Sequence, residues 1–89
     1  MDQQISEQLV TLDTLMQSRV SGSNNFSVAS AEAVIMDVIN YIKSFELDDL
    51  PVGASHVVTS ARSLTSMLEA GEFKDSADAE LGWLHARIW

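Results

Sequence analysis

Apolar residues in this chain recur at steps of three and four, in four separate stretches divided by short clusters of turn-forming residues. Such spacing returns each apolar side chain to one face of an α-helix, and the strict alternation that a half-buried strand requires is absent. The first stretch, residues 3–20, carries Ile5, Leu9, Leu12, Met16 and Val20. At 100° per residue these fall within roughly 80°, a narrow seam suited to a helix that pairs along its length. Ser21, Gly22, Ser23, Asn24 and Asn25 then crowd together, and a turn is expected there.

The second stretch, residues 28–47, opens after Ser27 or at Ser30, either of which can accept bonds from free first-turn N–H groups, with Glu32 near the positive end of the helix dipole. Val34, Ile35, Val38, Ile39, Ile42 and Phe45, joined by Ala31 and Tyr41, cover roughly 160° of this helix, an arc that predicts a central position. Its many β-branched residues would also suit a strand, but the spacing i, i+1, i+4, i+5, i+8 selects a helix. Pro51 and Gly53 open a loop after it. The third stretch, 54–70, places Val57, Ala61, Leu64 and Leu68 on one stripe, with Val58 and Thr65 at its margin and Gly71 as a left-handed cap. The fourth, 76–88, has Ala77, Leu81, Leu84 and Ile88 on its stripe. The expected fold is all-α, a small four-helix bundle forming a single domain over residues 1–89.

An 89-residue chain with no Cys has a short core and no disulfide to reinforce it. Such a domain buries about 60 to 65% of its unfolded surface and has on the order of 5 kcal/mol of stability. Self-association, as a homodimer or larger oligomer, or a bound protein partner is the expected source of more. Thirteen Asp and Glu oppose five Lys and Arg, for a net charge of −8. That charge repels a phosphate backbone and argues against direct nucleic-acid binding. No apolar run is long enough to span a bilayer, and Glu7 and Asp13 stand where an export signal would be apolar. A cytoplasmic location, in the producing cell or in a host cell, is therefore the expectation.

The residues offer little chemistry. There is no Gly-rich phosphate loop, no HExxH, no G-x-S-x-G elbow and no cluster of Cys and His. His56 and His85 lie on different helices, and neither has a carboxylate three or four residues away. His56 has Ser60 at i+4, but nothing supplies the oxyanion hole or orienting acid a nucleophile needs. The acidic groups Glu46, Asp48, Asp49 and Glu72, Asp75, Asp78, Glu80 do not follow the ligand spacing of an EF-hand, and the second fits a helix start. Acyl carrier proteins share this size and acidity, but they present a Ser in an Asp-Ser-Leu string at a helix start. The nearest string here, Arg62-Ser63-Leu64, falls inside the third helix without the acid. No catalytic residue, cofactor or metal is expected.

The surface is more informative. Opposite its core stripe the third helix presents Ser55, Thr59, Ser63, Ser66 and Ala70, with His56, Arg62 and Glu69 among them. Small side chains let another helix approach closely, whereas a solvated face usually carries long charged ones. Trp83 lies roughly 130° from the centre of its helix's apolar stripe, and tryptophan is enriched among binding hot spots. Met36 and Leu47 are further apolar residues on the polar side of the second helix. Trp83, Ser55, Thr59, Arg62, Ser63, Ser66 and Met36 are thus the candidate protein-binding residues. The expected function is a non-enzymatic acidic module that regulates or inhibits a larger protein by occupying its surface, as an inhibitor of host machinery from a phage or mobile element would. Two alternatives are an acidic nucleic-acid mimic that blocks a basic groove, and a self-associating scaffold built on the seam of the first helix.

Overall fold

A computed structural model of the chain describes residues 3–22 and 26–89. It has four α-helices: α1 (Gln3–Ser21), α2 (Val28–Lys43), α3 (Ala54–Met67) and α4 (Glu72–Ile88), with a 3-10 turn at Leu47–Asp49 between α2 and α3. No strand occurs among the described residues, and the fold is all-α. Ser23, Asn24 and Asn25 of the expected turn lie outside the described residues, as does the side chain of Leu47.

The helix starts follow local chemistry. Ser27 is the cap of α2, its hydroxyl accepting from the Ser30 N–H at 3.3 Å. Before α3 the Pro51-Val52-Gly53 turn closes with the Ala54 N–H on the Pro51 carbonyl. Gly53 holds a left-handed φ of 96°, a conformation costing roughly 1–2 kcal/mol in residues with a Cβ. Glu72 and Asp75 occupy the first turn of α4, where their charge favours the dipole.

Three helix boundaries differ from the sequence reading. α2 stops at Lys43, four residues short of Leu47, because Ser44 folds its hydroxyl back onto the Tyr41 carbonyl at 2.6 Å. Phe45 then turns its ring edge-on to Tyr41, with centroids 5.0 Å apart. α3 ends at Met67, not Ala70, and Leu68 adopts an extended backbone that keeps its side chain buried. Gly71 is consequently no left-handed cap: its φ of −176° is extended, and it precedes α4. The fourth helix starts at Glu72, ahead of the expected residue 76, and this places Phe73 against the core.

The core gathers from all four helices. α3 packs on α1, α2 and α4, most extensively on α4 and α1. Val57, Val58, Ala61, Leu64 and Thr65 of α3 are all fully buried, so Val58 and Thr65 belong to the core and not to its margin. The Thr65 hydroxyl is satisfied by donating to the Ala61 carbonyl at 2.8 Å. The densest packing therefore lies on α3, although the broad apolar arc of α2 pointed to α2. The arc of α2 is nonetheless used, with Ala31, Ile35, Val38, Ile39 and Ile42 buried.

The α1 seam faces the same core through Ile5 and Leu12, with Leu9, Leu15 and Met16 half-buried beside them. Val20 is 75% exposed and does not join it. The reason lies one residue earlier, where Arg19 Nε donates to the Met67 carbonyl at the end of α3. Past that point α1 has no α3 left to cover it. The same guanidinium sits 5.9 Å from the Phe26 ring, tying the α1 end to the start of the next segment.

Truncation at Leu84, which is 3% exposed, leaves a cavity in this core. Leu84→Ala is expected to cost about 2–5 kcal/mol, most of the stability of so small a domain, and chemical denaturation measures it. Gly53→Ala should cost about 1 kcal/mol or more through its left-handed backbone, read as a lowered denaturation midpoint.

Candidate functional site

Helix α4 has two flanks, and the candidate residues divide between them. On one flank it meets α3. There Arg62 lies over Gly82, its Nη2 at 4.0 Å from where a Cβ on that glycine would stand. Its Nε is buried without a hydrogen-bond partner, 3.9 Å from the Asp78 carboxylate. Thr59, Arg62, Ser63 and Ser66 together line a shallow depression of about 220 Å³. Ser55 and Ser63 are half-buried, while Thr59 and Ser66 are exposed.

The hydroxyls of this face are partly spent on their own helix. Thr59 donates to the Ser55 carbonyl at 2.9 Å and Ser66 to the Arg62 carbonyl at 3.1 Å. Such back-bonding is the ordinary way a helical Ser or Thr satisfies itself. It leaves a surface of small side chains with reduced polar demand.

On its other flank α4 faces α2 across an open groove. The larger depression, about 550 Å³, has Ile42, Phe45, Leu50, Leu84 and Ile88 among its lining, with Trp83 beside them. Lys43, Glu46, Asp48 and Arg87, all exposed, complete it. A second depression, about 290 Å³, holds Met36, Ile39, Phe73 and Ala77. Lys43 and Glu80 line this one too, and their ion pair joins α2 to α4. Met36 and Trp83 thus line separate depressions on the α2–α4 side, both of which include Lys43, while Thr59, Arg62, Ser63 and Ser66 share another surface. None of these depressions contains residues of both sets.

Trp83 is 50% exposed, next to the buried Leu84. The Arg87 guanidinium lies 5.0 Å from its ring centroid, an i, i+4 pair on one helix face. One face of the indole is therefore covered by its own helix. Phe73 and Leu50 enter the groove without having been singled out in the sequence. Phe73 was legible, since positions 73, 77, 81, 84 and 88 extend the α4 stripe by one turn. Leu50 was not, because it sits in a connection that no helical period describes.

Elsewhere the chemistry is sparse. His56 is exposed, and His85 is half-buried with its ring 5.8 Å from that of Trp89. No three His, Asp or Glu side chains converge as a metal site requires among the described residues. No described helix is long and apolar enough to cross a membrane. Compared with known protein families, characterised proteins and solved structures, the chain matches none.

Two substitutions check this geometry. A methyl group at Gly82 meets only ordinary contact with Arg62, so Gly82→Ala in mid-helix should raise stability by roughly 0.5–1 kcal/mol, seen as a higher melting temperature. Trp83→Ala, outside the core, should leave the melting temperature within a few degrees of the parent. Unfolding as severe as that expected of Leu84→Ala would instead make the indole a core residue.

Proposed function

We propose that this chain is a small helical bundle that acts without catalysis, as an acidic protein-binding module. It regulates or inhibits a larger protein by occupying its surface. The observation that carries the reading is Trp83: a large aromatic, half exposed, standing beside an apolar depression that its own chain leaves open. Aromatic anchors of this kind supply much of the energy at protein interfaces, where bulk charge supplies little. Met36, exposed at the neighbouring depression on the α2–α4 side, adds an adaptable apolar contact. The face of Ser55, Thr59, Arg62, Ser63 and Ser66 is a second contact surface, suited by its small side chains to a second copy of the chain.

The nucleic-acid mimic draws on charge alone, yet the acids are spread over α1, α2, the α2–α3 connection and α4. Two of them, Asp78 and Glu80, also face cations of their own chain. The scaffold reading needs the α1 seam, and Ile5 and Leu12 of that seam are buried in the chain's own core. Surface occlusion through the α2–α4 groove needs neither.

Affinity capture from the native cells, with the parent chain and the Trp83→Ala variant as parallel baits, tests the reading. The expected outcome is a protein captured by the parent and lost, by roughly thirtyfold or more in affinity, with the variant, as at a hot spot of about 2 kcal/mol. Equal retention by both baits would remove Trp83 from the interface and favour the mimic. For self-association, light scattering at micromolar concentration should give about twice the monomer mass, lowered by Ser63→Arg or Ser66→Arg. A monomer at every concentration would exclude the dimer.

A further inference from the structure

The α2–α4 groove also carries information about the chemistry of what fills it. Four charged side chains line its larger depression, and two of them have partners within the chain. Lys43 pairs with Glu80, and Arg87 lies over the Trp83 ring. Glu46 and Asp48 make no ion pair among the described residues. Both are exposed, Asp49 stands beside them, and the C-terminal end of α2, at Ser44, adds the negative pole of its dipole. The indole leaves the charge of Arg87 in place, so with Lys43 offset by Glu80 the three acids Glu46, Asp48 and Asp49 stand against one cation, and this end of the groove keeps an acidic excess next to an apolar lining of Phe45, Leu50 and Ile88.

From this juxtaposition we infer that the groove receives an amphipathic helix of a different protein, its apolar face against Trp83 and Leu50 and its Lys or Arg residues against Glu46 and Asp48. This rests on the proposed binding role and specifies the partner's chemistry. A surface depression walled by two helices, part apolar and part charged, is the shape into which such a segment lies. A second copy of this chain is the poorer occupant, since it brings a net charge of −8 and the same unpaired acids to an acidic rim. A purely basic, non-amphipathic segment would leave the apolar lining exposed.

A binding titration tests it, using the full chain with Trp89→Phe so that Trp83 is the sole tryptophan reporter. The probe is a synthetic peptide of Leu and Lys only, with the leucines on one helical face. It should shift Trp83 emission to shorter wavelength in a saturable manner, and the matching Leu and Glu peptide should not. Glu46→Lys combined with Asp48→Lys should weaken binding by roughly tenfold or more, as loss of a complementary charge pair does. Glu7→Lys combined with Asp13→Lys on α1 changes the net charge equally and should weaken it less than about threefold, because those charges are screened at a distance. Equal losses in the two double variants would overturn the inference, as would equal binding of a scrambled peptide whose leucines share no face. A peptide-free emission shift that tracks doubling of the mass would give the groove to a second copy and also overturn it. If no peptide binds while capture of a native partner still depends on Trp83, the basic-helix inference fails and the binding role stands.

Discussion

Burial of α3 against its three neighbours is the constraint on which the rest of the molecule depends. A helix with only one apolar stripe can cover one neighbour; α3 buries Val57, Val58, Ala61, Leu64 and Thr65 completely, and so serves α1, α2 and α4 together. Its core-facing residues are small or β-branched apart from Leu64, which lets the neighbouring helices come close. The one hydroxyl in that set is satisfied by its own backbone, and the buried polar atom left without a hydrogen bond on α3, Arg62 Nε, lies at the flank toward α4.

That arrangement decides where open surface is left. α4 commits one flank to α3, with Arg62 lying across Gly82 toward Asp78, and α2 meets α4 through a smaller contact. The Lys43–Glu80 pair joins the two helices there, and Phe45 and Leu50 line the depression left open beside it. A depression with Trp83 on one wall, part apolar and part charged, remains. An apolar lining open to water is unfavourable unless something covers it, and this is the physical ground for reading the groove as a place of contact.

Helix existence was legible throughout, because period-3.6 patterning and turn clusters are local properties. Trp83 off its helix's stripe and Leu84 on it followed from spacing, whereas Ser27 and Ser30 were both open as the α2 cap and the structure selects Ser27. Helix ends were less so. The wheel keeps Phe45 and Leu68 in phase with their stripes, yet both lie beyond their helices, since a side chain can remain against the core while its backbone leaves the helix. Gly71 illustrates the same limit: a glycine near a helix end suits a left-handed cap and an extended link equally, and only the path of the chain distinguishes them. The candidate residues were identified one helix at a time, so nothing in the sequence told which of them would lie together.

By itself the sequence determined an all-α chain, the faces its helices bury, its acidity, and the exclusion of Trp83 from the core. Those follow from composition and from side chains three or four residues apart. Only the tertiary structure decided that α3 carries the densest packing, that Val20 is bare, and that Met36 and Trp83 line depressions on the α2–α4 side while Ser63 and Ser66 line one on α3. These depend on which helices meet and at which residues. Contacts such as Arg19 to Met67, 48 residues apart, are invisible to any local period.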